Sequence, residues 1–183
     1  MPYRLQFKWA ICTGLRRFEI CALTIGDLDR STISCGDGLV QLDLMRKGGR
    51  LRSIYVPSDL IDETRWYILM DRPKPKLGAD DSVFLSSSGL PMRRGRLTRK
   101  FRELADRLGI KCTLHHLRHT FALQVLERLQ RHELAGEWLN AIKVVQVLMG
   151  HSSIETTEIY LDAMEITSDA VVGALGYLYG ASL

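Results

Sequence analysis

Residues 113–122 read TLHHLRHTFA and combine three histidines with one arginine in a short stretch. His115 and Arg118 are three residues apart, so on a helix they share one face. There they can grip a phosphate, the histidine as a proton carrier and the arginine as a forked charge. His119 follows His115 by four residues, so the two histidines can instead share a metal ion. A zinc site needs a third ligand and a nearby glutamate, which the stretch lacks.

Two other segments carry similar side chains. Residues 13–19 read TGLRRFE and open a helix with Arg16 near its N-terminus, where a cation opposes the helix dipole. A binding role helps to explain an arginine in that place. Residues 148–160 read LMGHSSIETTEIY, and their serines and glutamate fit a capping box over 152–155. Tyr160 lies in the helix that this box begins, where a tyrosine is by default a core side chain.

The spacing of apolar residues predicts helices with a small sheet between them. Helices are expected over 5–12, 17–23, 58–70, 96–108, 116–131, 140–149 and 168–179, with Gly109 as a C-cap and a polar connector over 132–137. Val40, Leu42 and Leu44 alternate with polar residues, and Leu51, Ser53 and Tyr55 do so less cleanly. The two runs flank a Gly-Gly pair, which predicts a hairpin with Lys47 at its tip, by default a solvated turn residue. An exposed loop is expected over 72–81 and a short strand over 83–85.

The composition excludes several classes of protein. The chain has 183 residues, of which 46% are hydrophobic and 25% charged, as in a globular domain and unlike a disordered one. It contains no apolar run near the roughly 18 residues that a membrane span needs. The first residues lack a signal-peptide pattern, so an intracellular, cytoplasmic protein is expected. Four cysteines without a CxxC pair favour free thiols over disulfides or zinc.

The charge is uneven along the chain. Residues 1–111 hold 21 of the 25 basic residues and 13 of the 21 acidic ones, whereas the remainder is acidic. The densest basic run lies between 91 and 111, and its candidate DNA contacts are Arg93, Arg94, Arg96, Arg99 and Lys100. The run is either a solvated helix face or a surface that binds phosphates and releases their counterions.

Taken in their order along the chain, these segments resemble the tyrosine recombinase (phage integrase) family over about residues 3–162. The resemblance is carried by residues 13–19, the Lys47 hairpin, residues 115–122 and residues 150–160. It implies an α+β, mainly α fold, the catalytic fold of these DNA breaking-rejoining enzymes, with a small antiparallel sheet. Residues 1–165 are then the catalytic domain and 166–183 a C-terminal tail helix. The N-terminal core-binding domain of most relatives is expected to be absent, because the arginine motif begins at residue 13; the chain is either a fragment or a naturally short member.

The resemblance also implies the chemistry. Tyr160 would attack the scissile phosphate and form a 3′-phosphotyrosine, while Arg16 and Arg118 would clamp the phosphate oxygens. His115 and His151 would supply proton transfer and a hydrogen bond to the phosphate. Lys47 would protonate the leaving 5′ oxygen, although Arg46 and Arg50 lie close by in the sequence. Glu19 and His119 would have supporting roles.

The resemblance extends to partners and origin. The partner would be double-stranded DNA, bound by a protein that is monomeric when free and tetrameric on paired sites. No cofactor or metal is expected, and the gene would be bacterial or carried by a phage or plasmid.

Three other functions also fit some of these residues, and the chain departs from the family pattern in two places. The alternatives are a type IB topoisomerase, a DNA-binding regulator without catalysis, and a zinc hydrolase that uses His115, His119 and His151. Leu114 stands where relatives often have proline, and the stretch between Arg118 and His151 is longer than usual, which puts the local packing there in question.

Overall fold

The computed structural model describes residues 2–30, 33–34, 38–45, 51–133 and 141–149. In these ranges the chain forms helices α1 (Pro2–Thr13), α2 (Arg17–Cys21), α3 (Ile25–Asp29), α4 (Ser58–Met70), α5 (Arg94–Arg107), α6 (Leu114–Glu133) and α7 (Ala141–Met149). The strands are β1 (Ile33–Ser34), β2 (Leu39–Met45) and β3 (Leu51–Pro57), between α3 and α4. The architecture is therefore mainly helical with one small sheet, as the sequence predicts. Within the described ranges, no helix is long and apolar enough to span a membrane.

Helix α1 lies at the centre of the core. Its buried side chains include Leu5, Trp9 and Ala10, which share one helical face. The Trp9 indole N–H donates to Thr64 Oγ1 of α4 at 3.0 Å, so this large side chain is buried with its polar atom satisfied. The same core contains apolar residues of β2, β3, α4, α5 and the start of α6. One continuous core thus fixes the helices that carry the candidate site.

The predicted hairpin is confirmed, but the buried face of its second strand is Arg52, Ile54 and Val56. Antiparallel pairing places Leu42 opposite Ile54 and Leu44 opposite Arg52. The less regular alternation at Ser53 and Tyr55 therefore belongs to the outer face. It was ambiguous because the inner face includes a charged residue, which an apolar pattern does not reveal. Strand β1 adds a third antiparallel strand beside β2.

One local expectation was wrong, and one helix was not predicted. Residues 83–85 do not form a strand: the chain makes isolated bridges between Thr24 and Ser82 and between Leu85 and Pro91. Because the two ends of the segment pair with different partners, no ladder forms. Helix α3 was not expected, although Thr24 and Asp27 form a reciprocal capping box with two 3.0 Å bonds.

Helix boundaries elsewhere agree closely with the sequence. Helix α4 has the predicted bounds, and residues 72–81 form the predicted loop. Helix α5 begins slightly earlier than expected and ends before Gly109, whose φ of +66° is the left-handed cap conformation. The Ile110 N–H donates to Ala105 O at 2.9 Å and the Gly109 N–H to Asp106 O at 3.1 Å, which is a Schellman motif.

Several expectations fall outside the described residues. They concern the hairpin tip with Lys47, the connector after α6, the capping box over 152–155, the tail helix, and the side chains His151 and Tyr160. Cys35 also lies outside them, while Cys12, Cys21 and Cys112 are free thiols.

Candidate active site

A left-handed glycine sets the position of Arg16. Gly14 has φ +62° and joins α1 to α2. A Cβ at this residue would lie 2.5 Å from Phe121 Cδ1 and 3.0 Å from Met149 Sδ, so the backbone lies directly against α6 and α7. Two residues later Arg16 is the N-cap of α2, and its N–H donates to Glu19 Oε2 at 2.7 Å. The Arg16 side chain is half-buried.

Arg118 of α6 is almost completely buried, with 2% of its surface exposed. Its guanidinium donates from Nη1 to Gly14 O and from Nη2 to Met149 O, the latter at 2.5 Å. Met149 is the last residue of α7, where helix carbonyls lack intrahelical partners and a cation is favoured by the helix dipole. Arg118 therefore ties the end of α1 to the end of α7, one residue before Gly150 in the sequence.

Glu19 and Arg52 form a buried ion pair behind Arg16. Glu19 Oε1 lies 2.9 Å from Arg52 Nη1, and 6% and 8% of the two side chains are exposed. Arg52 Nη2 also donates to Leu148 O, again at the end of α7. A buried carboxylate is stabilised by such charge-assisted bonds. The supporting role expected of Glu19 thus has a physical basis, whereas Arg52 was not among the predicted site residues.

Three histidines of α6, His115, His116 and His119, lie on its first turns. The His115 and His119 rings are 4.3 Å apart between centroids, in an edge-to-face arrangement. His116 Nδ1 accepts from the Thr113 N–H at 2.9 Å and so caps the helix. Burial, followed by His119 and Arg118, lowers the pKa of His115 below its ordinary value of 6.5. This shift favours the neutral form of the His115 imidazole at pH 7. In the described part of the chain, no three His, Cys, Asp or Glu side chains are grouped to hold a metal ion.

An open cavity of about 460 Å³ brings together three of the six predicted catalytic residues. Arg16, His115 and Arg118, which come from two distant parts of the sequence, all line it. Arg17 and Arg102 line it too, and the Arg17 guanidinium donates to Thr98 Oγ1 of α5 at 3.2 Å. The cavity thus has a strongly cationic lining that suits an anionic group such as a phosphate.

Arg17 and Arg102 were not predicted as site residues, although each has a weak signal in the sequence. Arg17 directly follows Arg16, and Arg102 lies four residues after Thr98 and so on the same helical face. The five residues selected in that region are not part of the cavity lining. Arg93, Arg94, Arg96 and Arg99 are exposed beside it, and Lys100 Nζ pairs with Glu103 Oε2 at 3.0 Å. Helix α5 buries Leu97, Phe101 and Ala105 and exposes its basic side chains.

Solved structures identify the fold. The chain is similar to the XerH site-specific recombinase bound to difH substrate in a pre-cleavage complex, with a TM-score of 0.62 and 26% identity. That match covers 87% of this chain and 42% of the other. The lambda integrase catalytic core also matches, at 20% identity and a TM-score of 0.50 over 81% of this chain and 79% of the other, which supports the fold alone. The protein therefore has the catalytic fold of tyrosine recombinases.

The family follows from the sequence comparisons. The phage integrase family model matches residues 1–165, and the chain belongs to that family. It is 32% identical over 155 residues to the tyrosine recombinase XerA of Pyrococcus furiosus, covering 81% of this chain and 46% of XerA. It is also 32% identical over 169 residues to XerC of Roseiflexus, covering 87% and 48%. The chain thus spans about half the length of the curated relatives it matches, and the resemblance noted in the sequence is confirmed.

Proposed function

We propose that residues 1–165 are the catalytic domain of a site-specific DNA recombinase that cuts and rejoins double-stranded DNA through a 3′-phosphotyrosine on Tyr160. The observation that supports this function best is the meeting of Arg16, His115 and Arg118 at one open cationic cavity. The names of the matched proteins agree with it, since XerH is described as bound to its DNA substrate before and after cleavage.

In the cleavage step, the Tyr160 oxygen forms a bond to the scissile phosphorus and the bond to the 5′ oxygen breaks. A free tyrosine has a pKa of about 10, so roughly one in a thousand is ionised at pH 7 and its proton must be removed. Neutral His115 accepts that proton, and His151 donates a hydrogen bond to the phosphate. Lys47 gives a proton to the leaving 5′ oxygen as general acid.

The two arginines stabilise the charge that develops on the phosphate. A guanidinium makes paired hydrogen bonds to phosphate oxygens and stays charged at all relevant pH values. Arg118 is held by two backbone carbonyls, so its guanidinium is oriented before DNA arrives. For Arg16 it is the backbone that is fixed, at the start of α2. Such preorganisation contributes to catalysis because no reorganisation is needed during the reaction.

Rejoining reverses the same step. A 5′ hydroxyl attacks the phosphotyrosine and returns the phenol, so the phosphodiester energy is kept and no metal, nucleotide or other cofactor is consumed. Arg17 and Arg102 contact the phosphates next to the scissile one, and the exposed arginines from 93 to 99 together with Lys100 extend that surface. Strand exchange between two DNA sites needs four active sites, so we propose a tetramer on paired sites and a monomer in free solution.

A suicide substrate tests this function. In a nicked DNA site, cleavage frees a short fragment that carries the 5′ hydroxyl. Because this fragment diffuses away, rejoining is prevented, and wild-type protein should accumulate as a covalent adduct in the presence of EDTA. Tyr160→Phe should form no adduct while it binds the same DNA with unchanged affinity. An adduct in Tyr160→Phe would move the nucleophile elsewhere, and absence of any adduct in wild type would favour a DNA-binding regulator. Relaxation of supercoiled DNA by single molecules, without exchange between sites, would favour the topoisomerase.

A further inference from the structure

Arg52 is a buried cation for which the proposed reaction has no direct use. It lies on the inner face of β3, opposite Leu44, and does not line the cavity. A buried guanidinium is costly unless charge and hydrogen bonds compensate it. Here the compensation comes from two segments of the candidate site, so the contacts of Arg52 indicate what it holds.

The first contact is with the segment that carries Arg16. Glu19 Oε1 accepts a hydrogen bond from Arg52 Nη1 at 2.9 Å, and Glu19 Oε2 accepts one from the backbone N–H of Arg16 at 2.7 Å. One carboxylate therefore links the Arg52 guanidinium to the backbone of a cavity-lining residue. Both side chains of the ion pair are more than nine-tenths buried, so solvent screens the link very little.

The second contact is with the end of α7. Arg52 Nη2 donates to Leu148 O, and Arg118 Nη2 donates to the next carbonyl, Met149 O, at 2.5 Å. Two guanidinium groups from different elements thus hold two successive carbonyls at the C-terminus of one helix. In the sequence, His151 follows Met149 by two residues. The end of α7 is therefore the last described point of the chain before His151.

We propose that Arg52 is a positioning residue, which fixes the end of α7 relative to the Arg16 segment and so aligns His151 with the phosphate clamp. This inference rests on the proposed function, but its physical basis is a link between Glu19 and Leu148 that exists without DNA. Arginine is required because its planar fork reaches two partners at once, whereas a lysine ammonium is a compact point charge.

The test compares Arg52→Lys and Arg52→Met with the matched control Arg72→Met. Arg72 also donates to backbone carbonyls, Asp80 O at 2.6 Å and Ser82 O at 2.8 Å, but lies outside the cavity lining. Arg52→Lys keeps a cation beside Glu19 and keeps the protein folded if the methionine variant fails to fold. Hydrogen exchange in the protein alone should increase over 141–149 in Arg52→Lys and remain unchanged there in Arg72→Met.

The activity measurement is single-turnover adduct formation at saturating DNA. Arg52→Lys should slow it by roughly 10- to 100-fold with DNA affinity unchanged, because a misplaced pocket group costs rate and not binding. A substrate with sulfur in the leaving 5′ position should not rescue the variant, since the affected step is phosphate stabilisation and not leaving-group protonation.

Three results would overturn the proposal: unchanged exchange over 141–149, rescue by the sulfur substrate, or an equal rate loss in Arg72→Met. Failure of the proposed function is distinguishable, because wild type would then form no adduct while the exchange measurement still decides whether Arg52 holds α7.

Discussion

Arg16 and Arg118 differ in how deeply the protein holds them. Arg16 is half-buried at the N-terminus of α2, whereas Arg118 is 2% exposed and bonded to two carbonyls. The same substitution should therefore have different consequences for folding, even though both arginines are proposed to clamp the phosphate.

We expect Arg16→Ala and Arg118→Ala each to reduce adduct formation by several orders of magnitude, because a clamp acts mainly in the transition state. Arg118→Ala should also lower the free energy of unfolding, by about 1–3 kcal/mol for each carbonyl left unsatisfied. Urea unfolding and adduct assays on both variants check this. A variant that cleaves within tenfold of wild type would remove its arginine from the clamp.

His115 should give the reaction an acidic limit. Burial, then His119, then Arg118, lower the pKa of His115, so its imidazole remains neutral to lower pH than a free histidine does. We propose that it accepts the Tyr160 proton in this form, so the cleavage rate should fall once the ring is protonated. Because the unfolded state binds that proton more readily, the contribution of His115 to stability falls as pH drops below 6.5. His119→Gln removes one cause of the shift, so the pKa of His115 should rise and the acidic limb of the cleavage rate should move to higher pH.

Proton NMR titration of the His115 ring checks the pKa directly. His116→Gln is the comparison, because it removes a smaller cause of the shift and should therefore raise the pKa of His115 less than His119→Gln does. If the limb of the rate profile stays in place while the His115 resonance shifts in His119→Gln, another group limits the reaction.

At the scale of elements, the close approach of α1 to α6 and α7 depends on Gly14. Gly14→Ala would place a Cβ 2.5 Å from the Phe121 ring in a backbone conformation of φ +62°. Gly109→Ala is the matched control, because its φ is +66° and no atom lies within 4 Å. The control should cost about 1–2 kcal/mol of unfolding free energy for the left-handed conformation alone.

Gly14→Ala should cost about 1–3 kcal/mol more than the control, since Phe121 and Met149 must move. It should also slow adduct formation strongly, because Gly14 O is bonded to Arg118. Urea denaturation and the suicide substrate measure the two effects. Equal costs at the two glycines would mean that Phe121 gives way without penalty, and that the contact does not set the site.

Elements with local signals could be predicted from the sequence, and those with distant partners could not. Helix α4 and the end of α5 follow from apolar spacing and from Gly109. Residues 82–85 differ from a strand because Ser82 pairs with Thr24 and Leu85 with Pro91, which no local pattern encodes. For the same reason Arg52 could not be predicted as part of the site, because its partners Glu19 and Leu148 are 33 and 96 residues away in the sequence.

The residues of the candidate site also differ in how clearly the sequence predicts them. Arg16, His115 and Arg118 could be selected because their motifs are compact and resemble a family. Arg17 and Arg102 carry weaker signals, because Arg17 only adjoins Arg16 and because the cavity face and the solvent face of the basic run look alike in the sequence. Only the packing of Leu97 and Phe101 into the core decides that Thr98 and Arg102 turn toward the cavity.

At the scale of the whole molecule, the remaining question is how several copies meet on DNA. The tail over 166–183 lies outside the described residues, so its role is argued from its sequence. Ala170, Val171, Ala174, Leu175 and Leu178 follow helical spacing and give one apolar face. Exposed to water, such a face costs about 25 cal/mol for each Å². We expect a tail helix with such a face to pack on its own domain or to dock on a neighbouring copy, and we propose the second arrangement for the tetramer.

We expect deletion of residues 166–183 to reduce recombination between paired sites far more than cleavage of a single suicide site. The reason is that cleavage uses one active site, whereas exchange requires subunits that contact one another. Both reactions should be measured with the same protein preparation, together with sedimentation of the free protein, which should remain monomeric with and without the tail. A matched control is substitution of the polar tail residues Ser168 and Asp169 by alanine, which keeps the apolar face and should leave exchange intact. An equal loss of cleavage and exchange on deletion would show that the tail only stabilises its own domain, and that subunit contacts lie elsewhere.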